Sequence, residues 1–207
     1  MINLVILLYH SGHYYAIMKN MGTIYIMRHG ECLDNARGVL NGRRDTGLTE
    51  LGKKQARAAA NQLKSAKIKI IFSSPLKRTH QTAALIKKEL GLSKVMIEPD
   101  LLERDVGKLG GLPSAEAQRR AAKVMRAGHL DYILAGPSVE SFAATYRRAR
   151  RVWKKLRLAA KKGDNVLAIT HGDLSMMLRA VVRGWTWRRG LVEPYLENGE
   201  IIILRPS

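Results

Sequence analysis

Short apolar runs alternate with longer stretches of helical periodicity along this chain, and that alternation restricts it to an α/β fold. Thr23 to Arg28, Lys69 to Ser73, Val95 to Glu98 and Asn165 to Thr170 read as strands. The stretches between them predict helices over 50–66 with Thr49 as N-cap, over 76–90 just after Pro75, over 114–127, over 138–162, and over 174–183 with Asp173 as cap. Residues 99–113 carry Gly107, Gly110, Gly111 and Pro113 and read as a loop. Asn198-Gly199, between Tyr195-Leu196-Glu197 and the apolar run Ile201 to Leu204, predicts a hairpin. The expectation is one α/β domain over 21–207, with a mainly parallel sheet and an antiparallel edge hairpin.

Residues 1–20 read as an N-terminal extension, because Met18 and Met21 lie just before the first convincing strand. An extra edge strand is the alternative. The apolar stretch Ile2 to Tyr9 is too short to span a bilayer, and no basic residue precedes it as a secretory signal requires. No membrane partner is therefore expected. The single cysteine, Cys32, cannot form an intrachain disulfide, which fits a reducing, cytoplasmic setting.

Charge is the unusual feature of the composition: 36 Lys plus Arg against 17 Asp plus Glu, a net +19. Arg147 to Lys162 holds much of it and contains no acid. Ala149, Val152, Trp153, Leu156 and Ala160 fall at helical spacing in the same segment, so it reads as an amphipathic helix with a solvated basic face. A nucleic-acid surface is the competing reading of that face.

In open α/β sheets, ligands bind beyond the carboxyl ends of the strands. Three such ends carry reactive residues: Arg28-His29-Gly30, Ser73-Ser74-Pro75-Leu76-Lys77-Arg78 and Thr170-His171-Gly172. Phosphoryl transfer through histidine needs a neutral imidazole, positive donors around the phosphoryl oxygens, and an acid for the leaving alkoxide. His29 is the candidate nucleophile, and Arg28 and Arg78 are the candidate clamps. His171 is a further donor, with Gly172 beside it. Asn35 and Asn41 are candidate amide donors, and Glu103 is the candidate acid. His80 and His129 read as ordinary surface or core histidines. Histidines are dispersed along the chain, so no metal-ligand cluster is visible. Cys32 reads as a small filler, with an oxidation switch as the alternative.

These pieces resemble the histidine phosphatase superfamily, also called phosphoglycerate mutase-like. The matching text is Arg28-His29-Gly30-Glu31, Asn35, Asn41-Gly42, Asp45, Gly47-Leu48-Thr49 and Gly52, then Ser73-Ser74-Pro75-Leu76, Arg78 and Thr82-Ala83. It continues with Leu102-Glu103, Gly107, Gly111, Glu140-Ser141 and Thr170-His171-Gly172. The resemblance implies a three-layer α/β/α sandwich. It also implies a metal-free, phosphorylated His29, a phosphoryl pocket of Arg28, Asn35, Asn41, Arg78 and His171, and Glu103 as proton donor. The expected partner is a small phosphorylated metabolite.

Mutases of this family usually carry Tyr three residues after the acidic Glu and a sizeable insertion before the second histidine. Here that position is Val106, and Glu103 and His171 stand only 68 residues apart. The resemblance thus implies the compact phosphatase branch. A mutase primed by 2,3-bisphosphoglycerate remains the alternative, and Arg104 is a partial match to it. Basic residues near 119–126 suggest a substrate with an anionic tail. A basic-surface binder on the same fold is the reading from another class. The flanking pair Trp185 and Trp187, beside Arg183, Arg188 and Arg189, reads as packing against the terminal hairpin, or else as a base-stacking platform.

Overall fold

The computed structural model describes residues 21–128, 130–161 and 163–205. The proposed extension over 1–20, and His129, lie outside the described residues. A five-stranded sheet forms the middle layer. Its strands are β1 (Ile24–Arg28), β2 (Ile68–Ser73), β3 (Val95–Ile97), β6 (Asn165–Thr170) and β7 (Ile201–Leu204), in the order β3-β2-β6-β1-β7. The first four strands in that order run parallel, and β7 pairs antiparallel with β1.

Strand alternation sends successive side chains to opposite faces, so both layers of helices have an apolar surface to cover. Met27, Ile71, Leu167 and Ile169 face one cluster with Ala59, Ala60 and Leu63 of α1 (Glu50–Leu63) and Ala83 and Ile86 of α2 (Lys77–Glu89). Ile24, Ile26, Phe72, Val166 and Ala168 face the other. There they meet α4 (Phe142–Ala160), through Ala149, Val152 and Leu156, and α5 (Gly172–Val182), through Leu174, Met177 and Leu178. This is the expected three-layer sandwich. No helix among the described residues is long and apolar enough to cross a membrane.

Local signals hold where the chain folds on itself. Thr49 caps α1, its Oγ1 accepting from the Gly52 amide at 3.0 Å. Three details depart from expectation. Asp173 lies inside α5, whose N-cap is His171. Asn198-Gly199 does turn, with Gly199 at φ 83°, but 195–197 forms no strand; the edge strand β7 takes β1 as its partner instead. And the helix expected over 114–127 stops early, as α3 (Ser114–Arg120). The chain then forms a separate antiparallel ribbon, β4 (Lys123–Ala127) and β5 (Leu130–Ala135). Helix-forming residues continue through 123–127, so ribbon pairing overrides propensity there.

Candidate active site

Register brings the reactive residues together. Arg28 lies opposite Thr170 in the β1–β6 ladder, so His29 and His171 each leave the sheet at the same level. Their rings sit edge to face, centroids 5.1 Å apart. On the other side of β6, Ser73 pairs with Ile169, which sets Ser74 beside His171: its Oγ lies 2.9 Å from His171 Nε2. Pro75 and Leu76 then turn the chain into α2, whose first turn carries Arg78.

The resulting cavity holds about 410 Å³ and is lined by Arg28, His29, Asn35, Asn41, Arg78 and Glu103 among others. Thus six of the eight predicted residues share one cavity wall. His171 and Gly172 do not line it; His171 is fully buried beside His29.

His29 Nδ1 lies 2.7 Å from the Gly30 carbonyl, which can only accept, so Nδ1 carries the proton and Nε2 the lone pair. Arg78 Nε donates to that lone pair at 3.1 Å. Burial, then Arg78 and Arg28, hold the His29 pKa well below the ordinary histidine value. The imidazole is therefore neutral and points its free nitrogen at a guanidinium. Arg78 is itself fixed: Nη1 donates to the Arg44 carbonyl at 2.6 Å and Nη2 to the Gly42 carbonyl at 2.8 Å. Arg28 Nη1 donates to the Leu196 carbonyl at 2.7 Å, and its guanidinium lies 5.0 Å from the centre of the Tyr195 ring.

Buried polar atoms without a partner concentrate here. Among the described residues they include Arg28 Nε, Asn41 Oδ1 and His171 Nδ1. Buried polar groups are almost always satisfied, and orphans at one spot mark a place where a polar ligand completes the network. The Asn41 amide, turned over, would present its NH2 at the orphan position.

Glu103 is buried at the N-terminus of α5. It accepts from the backbone amides of Asp173 and Leu174, each at 3.2 Å, and of Arg104 at 2.8 Å. Burial and the neighbouring Asp173 nonetheless push its pKa above the usual carboxylate value. The site thus combines a neutral imidazole with a carboxyl group biased toward its protonated form, the pairing an acid-assisted nucleophile requires.

Several supports were not legible in the sequence. Arg148, expected on the solvated basic face, is buried. It donates to the carbonyls of Asp100 (2.9 Å), Leu102 and Glu103 (3.3 Å) and pairs with Glu140 at 3.0 Å, so it clamps the segment that carries Glu103. Arg151 pairs with Asp100 and Lys155 with Glu98, extending the same clamp from α4. The available signal was spacing: Arg148 falls on the apolar face with Thr145, Ala149 and Val152. Tyr195 is half-buried against Gly172, where a Cβ would overlap its hydroxyl. Asn198 Nδ2 donates to the His29 carbonyl at 3.0 Å and to Asn35 Oδ1 at 3.2 Å, so the terminal turn braces the reactive loop. Cys32 is more than filler: its buried sulfur contacts both Asn35 and Asn41.

Two expectations need correction. The basic residues near 119–126 do not line the cavity; Arg120 pairs with Glu116, and Arg119, Lys123 and Arg126 are exposed. Trp187 stacks on Phe142 in the core region, at 6.2 Å, Trp185 is flanked by Arg183 and Arg189, and the hairpin expected beside them does not form. Among the described residues, no group of three or more His, Cys, Asp or Glu side chains is placed to hold a metal ion.

Residues 24–207 match the model of the histidine phosphatase superfamily, branch 1. A metal-independent phosphoserine phosphatase of Arabidopsis thaliana is 37% identical over 164 residues, covering 76% of this chain and 66% of the plant protein. A 2,3-bisphosphoglycerate-dependent phosphoglycerate mutase of Methylobacterium is 34% identical over 169 residues, covering 79% of this chain and 81% of that one. The native structure of mycobacterial glucosyl-3-phosphoglycerate phosphatase superposes with a TM-score of 0.72 at 25% identity, over 88% of this chain and 89% of the other. The chain spans only 43% of the length of the mycobacterial relatives it matches by sequence.

Proposed function

The chain belongs to the histidine phosphatase superfamily, and on that premise we propose that it is a metal-independent phosphomonoester hydrolase working through a phosphohistidine on His29. The observation that carries this reading is the neutral, tautomer-fixed imidazole whose free Nε2 faces Arg78. In the first step Nε2 attacks phosphorus and the P–O bond to the alcohol breaks. Glu103, whose pKa is raised by burial and by the neighbouring Asp173, is the acid in this reading and gives its proton to the departing oxygen. Arg78 keeps its proton and redirects the Nε–H hydrogen bond from Nε2 to a phosphoryl oxygen, alongside donors from Arg28, Asn35, Asn41 and His171. In the second step Glu103, now a carboxylate, takes a proton from water. The water oxygen attacks phosphorus, the N–P bond breaks, and phosphate leaves with His29 neutral again.

A mutase is the second reading, favoured by the Methylobacterium relative and by Arg104 in the cavity lining. Against it, Arg104 is tied to Asp173 at 2.6 Å, and the apolar Val106 stands where mutases usually place a tyrosine. Hydrolysis of p-nitrophenyl phosphate in chelator, with wild type and His29→Ala, tests the proposal. The substitution should lower kcat/KM by about 10³-fold or more, and acid-labile phosphate should be trapped on wild type alone. Full activity in His29→Ala would overturn it. Rapid interconversion of phosphoglycerates with a bisphosphoglycerate primer would shift the reading to the mutase.

A further inference from the structure

We infer that this site selects phosphomonoesters whose alcohol portion is uncharged and partly apolar, and rejects those carrying a second phosphate or a carboxylate. The inference rests on the phosphatase reading above. A chain of net +19 has cations to place, yet among the described residues every cation lining the cavity lies at its floor: Arg28, Arg78 and Arg104. Arg28 and Arg78 surround His29. Arg104 is engaged already, its Nε 2.6 Å from Asp173 and its guanidinium 4.1 Å from the centre of the Phe142 ring.

The rest of the lining is of another character. Val39, Leu40 and Val106 contribute apolar surface, and β5 adds Leu130, Tyr132 and Ile133. Ser114 and Gln118 of α3 are polar but neutral. Asp131 is the one charged residue in this outer part, and its nearest cation, Arg126 at 3.6 Å, is largely exposed. An anionic tail placed here would lose hydration, gain no cationic donor, and meet a carboxylate of its own sign. An uncharged apolar tail would bury surface against Val39, Leu40, Val106 and Leu130, beside the already packed Tyr132 and Ile133. The bases near 119–126 are exposed and none of them is part of the lining; Arg126 reaches only the outer carboxylate, Asp131, at 3.6 Å.

The test compares two aryl esters of similar size and leaving-group chemistry, 4-ethylphenyl phosphate and 4-(carboxymethyl)phenyl phosphate. Wild type should prefer the ethyl ester by about tenfold or more in kcat/KM, a difference of about 1.4 kcal/mol or more. Asp131→Lys should shrink or invert that ratio, with Asp131→Asn intermediate. Equal rates, or a preference for the carboxylate, in wild type would overturn the inference, and so would a ratio unmoved in both variants. If neither ester is turned over in a His29-dependent way, the phosphatase reading itself fails and takes this inference with it.

Discussion

At the cavity floor, His29, Arg78 and Glu103 are each held by two or more backbone or side-chain hydrogen bonds and stand at the ends of central strands or at a helix terminus. The outer wall is built differently. The β4–β5 ribbon hydrogen-bonds to itself and joins no strand of the main sheet. Ile133 packs in a small cluster with Leu109 and Ala117, while Tyr132 on the opposite face enters the main core, its ring 5.9 Å from that of Phe142. The difference teaches how the fold separates two tasks. Charge stabilisation depends on donors that need no rearrangement during reaction, so they sit where the fold is most over-determined. On the reading proposed above, the alcohol would meet this outer wall, whose residues are separate from the charged groups around His29.

The largest break in this contrast comes from Arg148→Met. It leaves the carbonyls of Asp100 and Leu102 without their Arg148 donor, leaves the Glu103 carbonyl with Arg43 Nε alone at 3.2 Å, and leaves Glu140 with Arg43 at 2.9 Å and the Asp105 amide at 3.0 Å. The expected cost is about 3 kcal/mol, the low end for a broken buried pair, read by urea unfolding, with kcat falling as Glu103 loses its position. An unchanged kcat would show that the floor does not depend on this clamp.

Ile133→Ala should cost about 2 kcal/mol, because a small cluster relaxes around the lost volume. Its kinetic signature should be a raised KM for apolar esters with kcat nearly preserved. A fall in kcat equal to that of Arg148→Met would erase the proposed division between wall and floor.

The smallest effect is on pH dependence. Burial holds His29 and His171 well below their unfolded value of about 6.5. The unfolded chain therefore binds more protons than the folded one below that pH. Stability should fall as pH drops from about 6.5 toward the lowered folded values, by at most about 1.4 kcal/mol per pH unit for each ring. Glu103 works with the opposite sign: its pKa is raised, so its contribution is present at low pH and fades as pH rises from about 4.5 through the raised value. His171→Asn should reduce the slope between pH 6.5 and 5.5 by about 0.7 proton in urea titrations. An unchanged slope would mean that His171 is not buried neutral.

Much of the floor was legible because its signals are local. Strand-end histidines and the Thr49 cap depend on a few neighbouring residues, and His29, Arg78 and Glu103 were named from such short pieces. Arg148 was misread because a run of nine bases conceals the one that faces inward; only its place among Thr145, Ala149 and Val152 marks it. The ribbon was misread for a different reason. Ala121, Ala122, Lys123, Met125, Arg126 and Ala127 favour helix, and no local count reveals that 130–135 will pair with 123–127 across Gly128, at φ 62°.

By itself the sequence determined the alternating architecture and the kinds of reactive group, because periodicity and strand-end motifs are properties of nearby residues. Only the tertiary structure decided which cations line the cavity, which acid is pushed toward its protonated form, and which residues the ribbon adds to the lining. Those depend on burial and on contacts between segments far apart in the chain, where desolvation, not residue type, sets the chemistry.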